Sequence, residues 1–324
     1  MAKDVPIMRK RKKIAVVGAG IGGLVSALKL AHEGFEVKVF ERSEYPGGKI
    51  RTLEANSGPI NIGPTVLTML PIFQNLFREV GEDIFDHLEL KEQNILARHW
   101  WSDGTEFDLF TNKNNTFDEI RNVFGSNAAN QYMEFFHTTE KMFTCFEKPV
   151  MKTVSPAPIE ILKEICKTPT VIPALFPFRT LDKYLKSKFS EPKLQQLFGR
   201  YATYVGGSPL NSPALMALVW QAEAKGVWTV KGGISSVAKA IERLAEDRGV
   251  EFIYGHQVIE IQQSKHLVNK VCLDDGTNYE ADAIIFNGDP RALALGLLGE
   301  GLRKVTKKTR NTPRSLSANV WGFE

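Results

Sequence analysis

Apolar and polar positions follow two rhythms along this chain, and the change of rhythm divides it. Ile14 to Val17 are apolar and mostly β-branched between Lys13 and Gly18, the pattern of a strand covered on both faces. Leu24, Ala27, Leu28 and Ala31 then recur at helical spacing, Gly34 fits a left-handed stop, and Glu36 to Phe40 return to strand character. Ile60 to Ile62 alternates and breaks at Gly63-Pro64 as a short strand, and Leu67 to Val80 predicts a helix with a break at Pro71. Asp83 to Phe110 reads as short strands with a hairpin turn at Asp103-Gly104. The next hundred residues or so are helical in pattern. Phe117, Ile120, Val123 and Phe124 form one stripe, and Tyr132, Phe135, Phe136, Phe143 and Phe146 extend it as core rather than as a ligand surface. Leu194 to Ala202 and Ala214 to Ala222 predict two more helices. At Val227 the α/β rhythm returns. A helix carries Ile234, Val237, Ala238, Ile241, Leu244 and Ala245, Gly249 ends it, and Val250 to Tyr254 is a further strand of the first sheet. Val258–Gln262, Lys270–Leu273 and Tyr279–Ala281 predict an antiparallel meander, and Ala283 to Phe286 one more buried strand.

The first strand–helix–strand carries chemistry. Gly18, Gly20 and Gly23 give G-x-G-x-x-G where strand turns into helix: the first permits the turn, the second lets a pyrophosphate approach, the third lets helix and sheet pack. Glu41 ends the second strand 23 residues after Gly18, where an acid meets ribose hydroxyls and repels a 2′-phosphate. That favours FAD or NAD over NADP. A second pair, Gly47-Gly48, follows in Arg42-Ser43-Glu44-Tyr45-Pro46-Gly47-Gly48-Lys49; a plain NAD domain has no use for it, and it tips the reading to FAD.

Composition narrows the picture further. Hydrophobic content of 43% and charge of 24% are ordinary for a globular protein, and a net charge of +4 does not point to nucleic acid. Arg9 to Lys13 form a basic run, read as a solvated tail. Cys145, Cys166 and Cys272 make no C-x-x-C, which fits a reducing cytoplasmic compartment, and the six histidines show no ligand spacing, so no metal site is predicted. No stretch reaches the length of a membrane span. Val150 to Phe178 mixes Pro156, Pro158, Pro169, Pro173 and Pro177 with apolar residues, Lys152, Lys163, Lys167 and Arg179, which suits either a monotopic membrane contact or a packed helical subdomain.

Several stretches resemble the FAD-dependent amine-oxidase and phytoene-desaturase superfamily, and within it the bacterial carotenoid desaturases of the 1-hydroxycarotenoid 3,4-desaturase type. They are GPTVLTM (63–69), ARHWWSDGTEFDLFT (97–111), LFGRYATYVGGSP (197–209), WQAEAKGVWTVKGG (220–233) and IIFNGDP (284–290). The resemblance implies an α/β fold: a Rossmann-like FAD-binding domain of amine-oxidase type over 1–69 and 227–295, with an inserted, largely helical substrate and membrane domain over 70–226. The stretch 296–324 would begin a further segment, with Val320 to Glu324 inside an alternating strand, and the chain looks C-terminally truncated. By resemblance Gly18, Gly20, Gly23, Glu41, Arg42, Gly47, Gly48, Lys49, Thr65, Val258, Asn287 and Gly288 line one non-covalent FAD. The implied reaction is desaturation at C3–C4 of a 1-hydroxy- or 1-methoxy-carotenoid by hydride transfer to flavin, on the inner face of the cell membrane. Another desaturase or isomerase of the superfamily, or an inactive nucleotide-binding remnant, stays open. No residue stands out as a catalytic acid or base.

Overall fold

The structure, a computed structural model, describes residues 11–56, 58–153, 157–172, 179–264 and 267–323. Strand β1 (Lys13–Val17), helix α1 (Ile21–His32) and strand β2 (Glu36–Phe40) form as the pattern predicts, with Gly34 at φ +89° closing the helix. Short strands β3 (Thr52–Leu53) and β4 (Ile60–Asn61) pair antiparallel. Leu67–Thr68 is a third short strand, β5, and not the start of a helix. Helix α2 (Leu70–Glu79) starts there with Pro71 in its first turn, where the missing N–H is no loss, so the proline opens the helix instead of breaking it. Helix α3 (Ile84–His87) and strand β6 (Leu90–Glu92) follow, then the hairpin β7 (Ile95–Trp100)–β8 (Glu106–Phe110) around Asp103-Gly104.

The helical region comprises α4 (Lys113–Phe124), α5 (Ser126–Phe146), α6 (Pro158–Lys167), α7 (Leu181–Lys188), α8 (Pro192–Gly199) and α9 (Gln221–Ala224). The helix expected over 194–202 forms up to Gly199, and Arg200–Val205 after it winds as 3-10 turns; the one expected over 214–222 is 3-10 over Ala214–Trp220. Its centre is aromatic. Phe135 and Phe198 lie 4.7 Å apart, Phe189 stacks on Phe198 at 5.2 Å, and Tyr132 and Trp220 close the cluster. The aromatic stripe is therefore core. Of the proline-punctuated stretch, residues 154–156 and 173–178 lie outside the described residues, as do Arg9 and Lys10.

Strand β9 (Val227–Val230) pairs with β5 and β6, carrying the chain back to helix α10 (Ser235–Glu246) and strand β10 (Glu251–Ile253). The meander β11 (Val258–Ser264), β12 (Leu267–Leu273) and β13 (Asn278–Glu280) forms as expected, and β14 (Ala283–Phe286) completes a four-stranded parallel sheet of order β10-β2-β1-β14. One face of that sheet carries Leu24, Leu28, Val237 and Ile241 from α1 and α10. The other buries Ala15 and Phe40 against Val258, Val271 and Leu273 of the meander. Leu70, Phe77, Ile84 and Leu88 share the core of α1 and α10. Leu298 and Leu302 belong to the meander core. Helix α11 (Pro290–Ala294) precedes them. Residues 313–323 form no strand; Leu316 N–H donates to the Gly206 carbonyl at 2.7 Å, and the apolar side chains beyond it are exposed. Among the described residues no helix is long and apolar enough to cross a membrane.

Candidate functional site

The carboxyl ends of β1, β2 and β14 converge on a surface built almost without side chains. Val17, Phe40 and Phe286 are in register, and the chain leaves all three strands beside Gly18, Glu41 and Asn287. Gly18 N–H donates to the Phe40 carbonyl (2.7 Å), and Asn287 N–H to the Val17 carbonyl (2.8 Å). A Cβ on Gly23 would lie 2.0 Å from the Gly18 carbonyl oxygen, so only glycine lets α1 enter so close to its own turn. The two glycine motifs touch. Gly47 bridges Gly20, with its N–H on the Ala19 carbonyl at 2.9 Å, and a Cβ on Gly48 would lie 3.0 Å from Gly20 Cα.

Helix α1 opens at Gly20 with no side-chain cap and no acid in its first turn. Its first N–H groups and the positive end of its dipole are thus left for an anion. The Glu41 carboxylate braces this turn: Oε2 accepts from Ala19 N–H (2.8 Å) and Oε1 from Ser43 N–H (2.9 Å). Each oxygen keeps a further lone pair for a hydroxyl donor. The Asn287 side chain lies over the first turn of the helix, its Nδ2 3.2 Å from where a Cβ on Gly20 would be and its Oδ1 2.7 Å from one on Gly22. Gly22 was not singled out in the sequence, although the doubled Gly22-Gly23 was its signal.

The remaining expected residues fall around this cradle in different ways. Arg42, Lys49 and Thr65 are exposed. The Lys49 carbonyl packs on Gly63, where a Cβ would come within 2.2 Å, which brings the Gly47–Lys49 loop against the Gly63-Pro64-Thr65 turn. Gly288 accommodates the Phe286 ring, 2.5 Å from its Cβ position. Val258 is buried against the sheet, so its side chain is committed to the core and only its main chain can meet a ligand. Beyond the cradle, Asn61 Oδ1 is buried without a partner and faces Gly233, 3.0 Å from its Cβ position. A cradle free of Cβ atoms, an uncapped helix start and a braced carboxylate fit a dinucleotide diphosphate.

Sequence reasoning missed a buried polar cluster in the helical region. Glu223, 4% exposed, accepts from Arg200 Nη2 (2.9 Å) and Tyr201 Oη (2.6 Å), and also from Tyr204 Oη. Burial raises the Tyr201 hydroxyl far above the ordinary phenol range, so it stays a donor. His99 lies within electrostatic reach of Arg200, and burial first, then the Arg200 charge, lowers its pKa; His99 Nδ1 and Arg200 Nε are buried without partners. The only signal for this cluster was a glutamate, Glu223, directly after the apolar run at 214–222. His256, Asp274 and Asp275 gather their ligand atoms within 4.8 Å, but on the surface, with both aspartates already accepting turn N–H groups.

Comparison with known proteins decides the family. The model of the flavin containing amine oxidoreductases matches residues 21–320. The chain belongs to that family. FAD is its cofactor, and the parallel sheet with its glycine cradle is the family's Rossmann-like FAD-binding fold. The chain is similar to the hydroxyneurosporene desaturase of Cereibacter sphaeroides, 43% identical over 96% of this chain and 63% of that protein. It also resembles the 1-hydroxycarotenoid 3,4-desaturase of a Flavobacterium species, 32% identical over 97% of this chain and 64% of that protein. It thus spans slightly less than two thirds of these curated relatives. Among solved structures, an oxidoreductase from Methanosarcina mazei superposes with a TM-score of 0.63 at 18% identity, covering 91% of this chain and 65% of that one. Putrescine oxidase bound to putrescine gives 0.60 at 17%, covering 88% and 60%.

Proposed function

We propose that the protein is an FAD-dependent carotenoid desaturase that introduces a C3–C4 double bond into 1-hydroxy- or 1-methoxy-carotenoids. The 43% identity to a hydroxyneurosporene desaturase across 96% of the chain carries this reading, because it extends through the helical region and not only the nucleotide motif. In this reading the first N–H groups of α1, with Gly18, Gly20 and Gly23, hold the pyrophosphate. Glu41 takes ribose hydroxyls, Arg42, Gly47, Gly48 and Lys49 flank the phosphates and ribityl chain, and Thr65, Asn287 and Gly288 border the rest. Val258 contributes main chain alone. Bound FAD supplies a two-electron acceptor for hydride. The polyene offers no acidic C–H, so the protein's task is to orient an apolar chain and keep water out, and no side chain is assigned as acid or base.

Peripheral contact with the inner face of the cell membrane completes the proposal. Helix α6 has no buried residue; Ile159 and Leu162 are 59% and 54% exposed, beside Lys163 and Lys167. An apolar ridge flanked by lysines suits an interfacial helix. The test is incubation of the FAD-loaded protein with a 1-hydroxycarotenoid in liposomes. A red shift of the polyene spectrum is expected. An unshifted spectrum with FAD bound refutes that substrate, and product analysis separates C3–C4 desaturation from isomerisation or attack at another bond.

A further inference from the structure

We infer that the layer formed by α11 and the residues after it, 290–314, is a docking face for anionic lipid, separate from α6. Six cations stand within twelve residues: Arg303, Lys304, Lys307, Lys308, Arg310 and Arg314, with no carboxylate among them. That is more positive charge than the whole chain nets, +4. Among the described side chains Glu300 pairs with Arg303 (2.6 Å) and Asp289 with Arg314 (3.1 Å), while Lys304 and Arg310 are exposed.

The unit that carries these charges is fixed from below. Leu293, Leu298 and Leu302 are buried in the meander core, and Ile261 N–H donates to the Leu298 carbonyl at 2.9 Å. Asp289 caps α11 through Arg291 N–H (2.9 Å), Thr306 Oγ1 donates to the Pro290 carbonyl (2.9 Å), and Arg303 Nη2 to the Leu295 carbonyl (3.2 Å). Its outer side instead shows Leu297 and Val305, 65% and 67% exposed. Aliphatic side chains left in water beside a cation-rich turn contribute nothing to the fold, but they match a bilayer surface, where cations meet lipid phosphates and aliphatic groups enter the acyl boundary. A nucleic acid fits less well, since leucine and valine give its bases no stacking platform. The inference draws support from the proposed function only in that a carotenoid reaches its enzyme from a bilayer; the charge and the exposure stand without it.

Vesicle flotation of the full chain tests the face, using phosphatidylcholine vesicles with and without phosphatidylglycerol. The parent protein should partition more strongly onto the anionic vesicles, and added salt should weaken that preference. Lys304→Glu/Arg310→Glu should lower partitioning onto anionic vesicles at least about 20-fold while leaving the neutral ones unchanged. Leu297→Ser/Val305→Ser should lower both. Far-ultraviolet dichroism and FAD content report that each variant folds. Equal partitioning of the charge variant and the parent overturns the inference, as does stronger retention on a DNA duplex than on the anionic vesicles. Turnover is not read in this assay, so failure of the desaturase reading is scored separately.

Discussion

Gly23→Ala isolates what the cradle does. The added methyl would lie 2.0 Å from the Gly18 carbonyl oxygen, where contact needs about 3.2–3.5 Å, so helix and turn must separate by roughly 1 Å or more. Overpacking of that kind costs about 1–3 kcal/mol, and alanine returns about 1 kcal/mol of helix propensity, leaving a net loss of about 0–2 kcal/mol in stability. Binding suffers more. If the shift removes two charge-assisted N–H bonds to phosphate at about 1.5–3 kcal/mol each, FAD affinity falls about 10²- to 10⁴-fold. Gly34→Ala is the control: its φ of +89° makes it strained, but nothing lies within 4 Å, so it should lose stability and keep FAD. The assay is flavin per chain after gel filtration, a fluorescence titration for Kd, and urea melts of both variants. A Gly23→Ala protein that binds FAD within threefold of the parent would refute the argument that the close approach of α1 builds the site.

Three further outcomes follow from the structure. Glu223→Ala strands the buried Tyr201 hydroxyl and takes the carboxylate from the partly exposed Arg200, and should destabilise the helical region by about 2–3 kcal/mol; Glu223→Gln keeps an acceptor and should cost about 1–2 kcal/mol, both read as urea midpoints. His99, held below its ordinary 6.5 by burial and Arg200, takes up a proton less readily in the folded chain than in the unfolded one as pH falls below about 6.5. Its contribution to stability is therefore lost on acidification, and His99→Gln should narrow the gap between midpoints at pH 7.5 and pH 5.5; an unchanged gap counts against it. Ile159→Ser/Leu162→Ser on α6 removes two side chains that are more than half exposed, so the melt and FAD content should hold while liposome flotation drops about tenfold.

The nucleotide half was readable from sequence because its determinants are local. Gly18, Gly20, Gly23 and Glu41 lie within one strand–helix–strand, and each is dictated by a backbone requirement that shows in the residue type itself. Pro71 misled because a proline signals a helix boundary without saying which side of it the helix lies. The short strand at Leu67–Thr68 was missed because its partner, Trp228 and Val227, is some 160 residues away, and two residues carry no period.

The order of local elements, the FAD-type glycine turns and the aromatic composition of the helical core were thus fixed by the sequence alone, since periodicity and glycine geometry are short-range. Tertiary structure decided the rest. It pressed Gly47-Gly48 onto Gly20, laid Asn287 over the first turn of α1, turned Val258 inward, and joined Arg200 and Tyr204 to Glu223. It also set Leu297 and Val305 outward over the core that anchors Leu298 and Leu302. Each of these depends on which distant segment packs against which, and burial and charge pairing are properties of that packing, not of any one stretch of chain.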